Sequence, residues 1–269
     1  MKKIYYILLC LSACVASLWA QDSEKTVTIK TNVGTMKVRL YNDVPNHVRT
    51  FIDRANKGEY NGTLFTRVIK EFMIQGGAPD SRNAPAGAQC GFGDRNAEIL
   101  PEMKPQYFHK RGAFAAPRQN DDVNPQKKSD MSQFFIVQGK VYRSGELDTL
   151  ELIANKDIRQ KAIDKIYKPV YMDMQMLKQT NKREYTKRMR KISAEVDSII
   201  LATPGHLVFT DEQRKAYTTV GGCHHLDGHY TIFGELTEGF DILDQIANQP
   251  KDAYDRPKKD IRIISVTVE

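Results

Sequence analysis

The chain has 269 residues, of which 41% are hydrophobic, 27% charged and 9% aromatic, with 17 Gly and 11 Pro. This mix excludes a disordered tail, a collagen-like repeat and a small disulfide scaffold. The formal charge is +7, from 40 Lys and Arg against 33 Asp and Glu. Cys10 and Cys14 lie in the apolar start, so Cys90 and Cys223 alone are left in the body, too few for a cysteine framework or a structural zinc site. Whether those two thiols pair is not decided by their positions in the sequence.

Residues 1–20 read as an export signal, with Lys2 and Lys3 ahead of a mostly apolar run from Ile4 to Trp19 and a plausible cut between Ala20 and Gln21. A competing reading takes Leu11-Ser12-Ala13-Cys14 as a lipoprotein box, with Cys14 lipidated; the apolar run continuing through Val15 to Trp19 favours plain cleavage. Both readings predict an exported protein, periplasmic in the first case and membrane-anchored in the second. Membrane association is expected only if Cys14 is lipidated, because no later apolar run approaches spanning length.

From Thr26 the apolar residues alternate through Val27, Ile29 and Val33, then Met36, Val38 and Leu40 around Gly34, which predicts a β-hairpin. Asp43-Val44-Pro45 opens a helix whose stripe is Val48, Phe51, Ile52 and Ala55 and which ends at Gly58. Strands are predicted at Leu64 to Ile69 and Phe72 to Gln75, then an irregular excursion from Ala78 to Tyr107. Further strands follow at Gly112 to Ala116, Ser132 to Gln138, Tyr230 to Leu236 and Ile261 to Val268. A short helix carrying Phe240, Leu243, Ile246 and Ala247 separates the last two. Many strands with two brief helices predict a mainly β fold, a closed or nearly closed barrel.

Residues 141–218 break this pattern. Helical spacing runs through Leu147, Leu150, Ile153, Ile158, Ala162 and Ile166, then through Met189, Ile192, Val196 and Ile199, with breaks at Pro169 and Pro204-Gly205. Thr210 and Gln213 form a capping-box pattern for a last helix, Asp211 to Tyr217. The segment is expected to be an α-helical insertion between a first barrel part, 26–140, and a second, 219–269. It holds 15 Lys and Arg against 11 Asp and Glu, so most of the excess positive charge belongs to it. The run Lys178 to Lys191 is its most basic part. It has no aromatic stacking set beyond Tyr185, so no nucleic-acid partner is expected; a solvated helix face, acidic client segments and a membrane surface are the readings it leaves.

No Gly-x-Ser-x-Gly elbow, phosphate loop or His-Glu-x-x-His is present. His224, His225 and His229 flank the turn signal Leu226-Asp227-Gly228, and ligands four apart converge only on a helix, so no metal or other cofactor is expected. The informative run is Phe65-Thr66-Arg67-Val68-Ile69-Lys70-Glu71-Phe72-Met73-Ile74-Gln75-Gly76-Gly77. On strands it sets a permanent cation beside bulky apolar groups; taken by itself it reads more readily as a solvated Arg67 above a core of Phe72 and Met73.

This run closely resembles the central signature of the cyclophilin family of peptidyl-prolyl isomerases, and three more motifs follow in the family's order. They are Tyr107-Phe108-His109-Lys110-Arg111-Gly112-Ala113-Phe114-Ala115-Ala116-Pro117-Arg118, Ser132-Gln133-Phe134-Phe135-Ile136 and Leu226-Asp227-Gly228-His229-Tyr230-Thr231-Ile232-Phe233-Gly234. The resemblance implies a closed antiparallel eight-stranded barrel capped by two helices, and a peptidyl-prolyl cis-trans isomerase acting on proline-containing segments of unfolded or exported proteins. It implies a catalytic Arg67, a proline pocket of Phe72, Met73, Phe135 and Leu226, and substrate-backbone contacts from Gln75 and Gln133. Tyr230 stands where many members have His. Arg118 stands where many have Asn, with its backbone as the implied contact. His225 aligns with the Trp of drug-sensitive members, so tight cyclosporin binding is not expected. A non-catalytic proline-peptide module, or a chaperone using the helical insertion, is the alternative.

Overall fold

A computed structural model describes residues 25–269. The export signal, its cut after Ala20, the lipidation alternative at Cys14 and Trp19 lie outside the described residues. In chain order come β1 (Thr26–Thr31), β2 (Gly34–Leu40), α1 (Pro45–Asn56), β3 (Phe65–Ile69), β4 (Met73–Gly76), β5 (Glu98–Ile99), β6 (Ala113–Ala115), β7 (Ser129–Asp130) and β8 (Phe134–Val137). Helices α2 (Ser144–Ala154), α3 (Lys156–Ile166), α4 (Tyr171–Thr180), α5 (Lys182–Ala202) and α6 (Asp211–Thr219) follow, then β9 (Ile232–Glu238), α7 (Phe240–Ala247) and β10 (Ile263–Val268). Two compact units result: one runs up to Lys140 and resumes at Gly221–Glu269, the other is Val141–Val220.

The first unit is built on one eight-stranded antiparallel sheet in the order β10-β1-β2-β9-β6-β8-β4-β3. The expected closure of the barrel is corrected here: the sheet is curled but open, with β3 and β10 as its edges. Those edges meet at a single bridge, Leu64 with Arg262. Beyond it, the outer edge of β3 is taken up by a loop, since the Val68 amide donates to Asp255 O at 2.8 Å, so no ladder forms there. The excursion after Ala78 is also less irregular than its composition suggests: it contains two 3-10 turns and β5, which pairs with β7.

Period-two alternation buries Val27, Ile29, Met36, Val38 and Leu40 on one face of the hairpin. Helix α1 starts with Pro45, which lacks only an amide hydrogen the first turn could not have used, and buries His47, Val48, Phe51 and Ala55. Phe51 reaches into an aromatic cluster, with ring centroids 5.0 Å from Tyr60, 5.3 Å from Phe114, 6.0 Å from Phe134 and 5.6 Å from Phe233. Helix α7 buries Leu243, Ile246 and Ala247. Cys90 and Cys223 are both free thiols, and burial pushes that of Cys223 up to about 12.

Lys140 and Gly222 exchange backbone hydrogen bonds, Lys140 N to Gly222 O at 3.3 Å and Gly222 N to Lys140 O at 3.0 Å. Gly139 must be glycine for this approach: its φ is 67°, and a Cβ there would lie 2.4 Å from Gly222 Cα.

In the second unit, Ala162, Val196 and Ile200 form a small core with Ile158, Ile163, Ile166, Ile192 and Ile199 packed on it. The spacing from Leu147 to Ile166 predicts one continuous stripe, but the chain turns between α2 and α3 at buried Asn155. The Asn155 side chain accepts from Leu207 N at 2.8 Å and donates to Leu207 O at 2.6 Å, so the break satisfies a remote backbone pair. Helix α6 has the capping box in full: Gln213 N donates to Thr210 Oγ1 at 3.2 Å, and Thr210 N to Gln213 Oε1 at 2.9 Å.

Candidate active site

Three neighbouring strands set the site by register. Arg67 on β3 pairs with Gln75 on β4, and Gln75 pairs with Phe135 on β8, so the three side chains form one row on one face of the sheet. Met73, two residues from Gln75, shares that face. Phe72 precedes β4 in a turn whose Glu71 has φ 60°, a conformation held by Glu71 N donating to Gln138 Oε1 at 2.6 Å. Phe72 O accepts from Gln138 N and Gly139 N, both at 3.0 Å, which fixes the ring at the mouth of the cleft.

Arg67, Phe72, Met73, Gln75, Arg118, Phe135, Leu226 and Tyr230 line one cleft of about 140 Å³, together with Pro117 and Asn120. Its floor is apolar, with Met73, Phe135 and Leu226 all buried. Gln133 stands behind the lining: Gln75 Nε2 donates to Gln133 Oε1 at 3.0 Å, and Gln133 Nε2 to Asp130 Oδ2 at 3.0 Å. The carboxylate thus orients both amides through the Gln75 and Gln133 NH2 groups, and Gln75 lines the cleft.

Arg67 is about half exposed; its Nε faces Asp255 Oδ2 at 3.4 Å and its guanidinium sits 5.7 Å from the centre of the Phe72 ring. These two contacts hold the cation beside the cleft that it lines. On the other wall, Arg118 Nε donates to His229 O at 2.7 Å and its guanidinium covers Tyr230 at 4.8 Å, so this side chain forms structure as well as the backbone that the family resemblance points to. His225 lies against Phe72 with ring centroids 5.3 Å apart.

Asp255, Asp130 and Asn120 escape a reading of the sequence, while Pro117, His109 and Asp227 stand in the family-like motifs without a role there. His109 lies behind Phe135, its ring stacked at 6.0 Å and 7°, with Nδ1 3.0 Å from Asp227 Oδ1. Asp130 has a local signal, three residues before Gln133; Asp255 has none, since 188 residues separate it from Arg67.

Burial holds both His109 and His47 below the ordinary 6.5, although Asp227 and Glu102 act in the opposite direction. An unfolded chain therefore takes up these protons more readily than the folded one. Their contribution to stability is present in full above about pH 6.5 and is lost as pH falls through the lower folded values. Asp244, held below the usual carboxylate range by the Arg111 guanidinium, adds a loss only at more acid pH. Urea unfolding midpoints are expected to be level from about pH 8 to about 7, to drop below about 6.5 and to drop again below about 4. A midpoint that rose on acidification from pH 7 to 5 would contradict this.

Comparison with known proteins agrees with this fold. The family model for cyclophilin type peptidyl-prolyl cis-trans isomerases matches residues 26–153 and 151–268. The chain belongs to that family. A Staphylococcus haemolyticus protein named for peptidyl-prolyl cis-trans isomerase activity is 28% identical over 250 residues, covering 93% of each chain. A Streptococcus pyogenes protein named as a bifunctional phosphatase/peptidyl-prolyl cis-trans isomerase is 29% identical over 245 residues; the match takes in 90% of this chain but spans only 38% of that protein's length. The crystal structure of a Cryptosporidium parvum cyclophilin type isomerase shares the fold, with a TM-score of 0.52 at 19% identity over 91% of this chain and 98% of that one. The same isomerase has been solved in the presence of the dipeptide Ala-Pro.

Proposed function

We propose that the chain catalyses cis-trans isomerisation of X-Pro peptide bonds, with the prolyl ring in the cleft floored by Met73, Phe135 and Leu226. Amide resonance gives rotation a barrier of about 18 to 20 kcal/mol. No nucleophile is needed to lower it. As the bond twists, the imide nitrogen regains a lone pair, and an Arg67 N–H donates to it; the planar ground state offers no such acceptor, so the bond stabilises the transition state selectively.

The observation that carries this reading is the alignment of Arg67, Gln75 and Phe135 in one row, a cation, an amide and an apolar wall. In the proposed complex the Gln75 oxygen accepts from the substrate backbone while Phe72 and Tyr230 exclude water from the amide. The substrates are taken to be exported, unfolded proteins, in keeping with the signal-like residues 1–20.

The test is a protease-coupled assay on an Ala-Pro peptide, with the full chain and an Arg67→Ala variant compared. A full chain no faster than the uncatalysed reaction would leave only a proline-peptide binding module. A guanidinium does not deprotonate in proteins, and burial keeps His109 and His225 neutral above their ordinary range. The rate is therefore expected to change little between about pH 6.5 and 9, and a bell-shaped profile in that window would contradict the mechanism.

A further inference from the structure

The helical unit carries a second concave site of about 450 Å³, lined by α3, α4 and α5 and the 3-10 turn that joins α3 to α4. That volume falls within the range of ligand clefts, about 300 to 1,000 Å³. Its apolar side is Ile166, Val170, Met174 and Ile192. On the α5 side, Arg188 pairs with Glu184 at 3.2 Å and Lys191 with Glu195 at 4.0 Å. Adjoining this groove is a shallow trough lined by Arg183, Lys187 and Arg190, and Glu184 and Lys187 line both hollows.

Arg183, Lys187 and Arg190 are exposed and have no acidic partner among the described residues. They stand four and three residues apart, so they share one face of α5, an arrangement of like charges that destabilises a helix. A solvated surface gains nothing from that placement. An anionic partner does.

We propose that this groove and trough dock an extended or helical polypeptide segment in which apolar side chains are flanked by Asp or Glu. The apolar residues would enter between Ile166, Val170 and Ile192, where Met174 supplies an adaptable surface, and the carboxylates would meet Arg183, Lys187 and Arg190. Two rival partners fit less well. RNA needs stacking platforms, and Tyr185 is the single aromatic residue of α5. A membrane surface would need a free apolar face on the helix that carries the basic residues, whereas Val196 and Ile200 of α5 are buried, Ile192 packs against their core, and the exposed Tyr171, Met172 and Met176 lie on α4. The proposal is independent of Arg67 and of the reaction at the first cleft.

The experiment uses the full chain and a short fluorescein-labelled peptide of Leu and Glu without Pro, read by anisotropy. Tighter binding than for a Leu/Lys or a Ser/Glu peptide is expected. The triple variant Arg183→Glu, Lys187→Glu, Arg190→Glu should weaken it on the order of tenfold or more, with Ala-Pro isomerisation unchanged. Because a row of three Glu repeats the like-charge crowding, the neutral variant Arg183→Gln, Lys187→Gln, Arg190→Gln serves as the independent control, and a circular dichroism melt checks that both variants fold. Equal binding by the parent and both variants would overturn the proposal. So would equal binding of the Ser/Glu peptide, or a preference for phosphatidylserine vesicles or single-stranded RNA over the Leu/Glu peptide.

Discussion

Replacing Arg67 by alanine is expected to lower kcat/KM for an Ala-Pro peptide by about 10- to 150-fold, the rate equivalent of one charge-assisted hydrogen bond of roughly 1.5 to 3 kcal/mol. The fall should appear in kcat, with KM nearly unchanged, because the bond to the prolyl nitrogen forms only in the twisted state. Arg67 is about half exposed and sits on an edge strand, so the variant should keep its unfolding free energy to within about 0.5 kcal/mol. Arg67→Lys keeps the charge but loses the planar fork shared between Asp255 and the cleft, and should recover little of the rate. A loss below threefold in both variants would remove Arg67 from the mechanism and leave the apolar cleft to explain turnover.

Replacing Phe51 by alanine should give the largest loss of stability, about 3 to 5 kcal/mol. The side chain is fully buried and touches four other rings contributed by the chain after α1, by β6, by β8 and by β9. Its removal leaves a cavity between a helix and a curled sheet, and neither can shift without breaking register. The measurement is the denaturation midpoint followed by circular dichroism. A loss below about 1 kcal/mol would mean that the cluster collapses around the gap, and that the concave face of the sheet is softer than its packing indicates.

Much of the local structure was legible because its signals are local to the chain. Val27 and Ile29 alternate against Thr and Lys, Pro45 announces a helix start, and Thr210 with Gln213 spells a cap. Closure of the sheet was not legible, because it depends on whether β3 finds a strand or a loop along its outer edge, and Asp255 lies 188 residues from Arg67 in the chain. The same distance hid the partner of Arg67. Helix α4 had no clear apolar period, since Met174 alone among its residues is buried. The turn at Asn155 was invisible for a related reason: its cause is a hydrogen-bonded pair at Leu207, not anything within the stripe it interrupts.

The paired backbones at Lys140 and Gly222 have a consequence for how such a chain can change over generations. The chain leaves the sheet after Lys140 and rejoins it at Gly222, so the base of the excursion is closed by these two bonds whatever its length. Closing a longer or shorter excursion costs little, about 0.6 kcal/mol for each doubling. A change in the length of the segment between Lys140 and Gly222 is therefore expected to leave the register of Arg67, Gln75 and Phe135 in place.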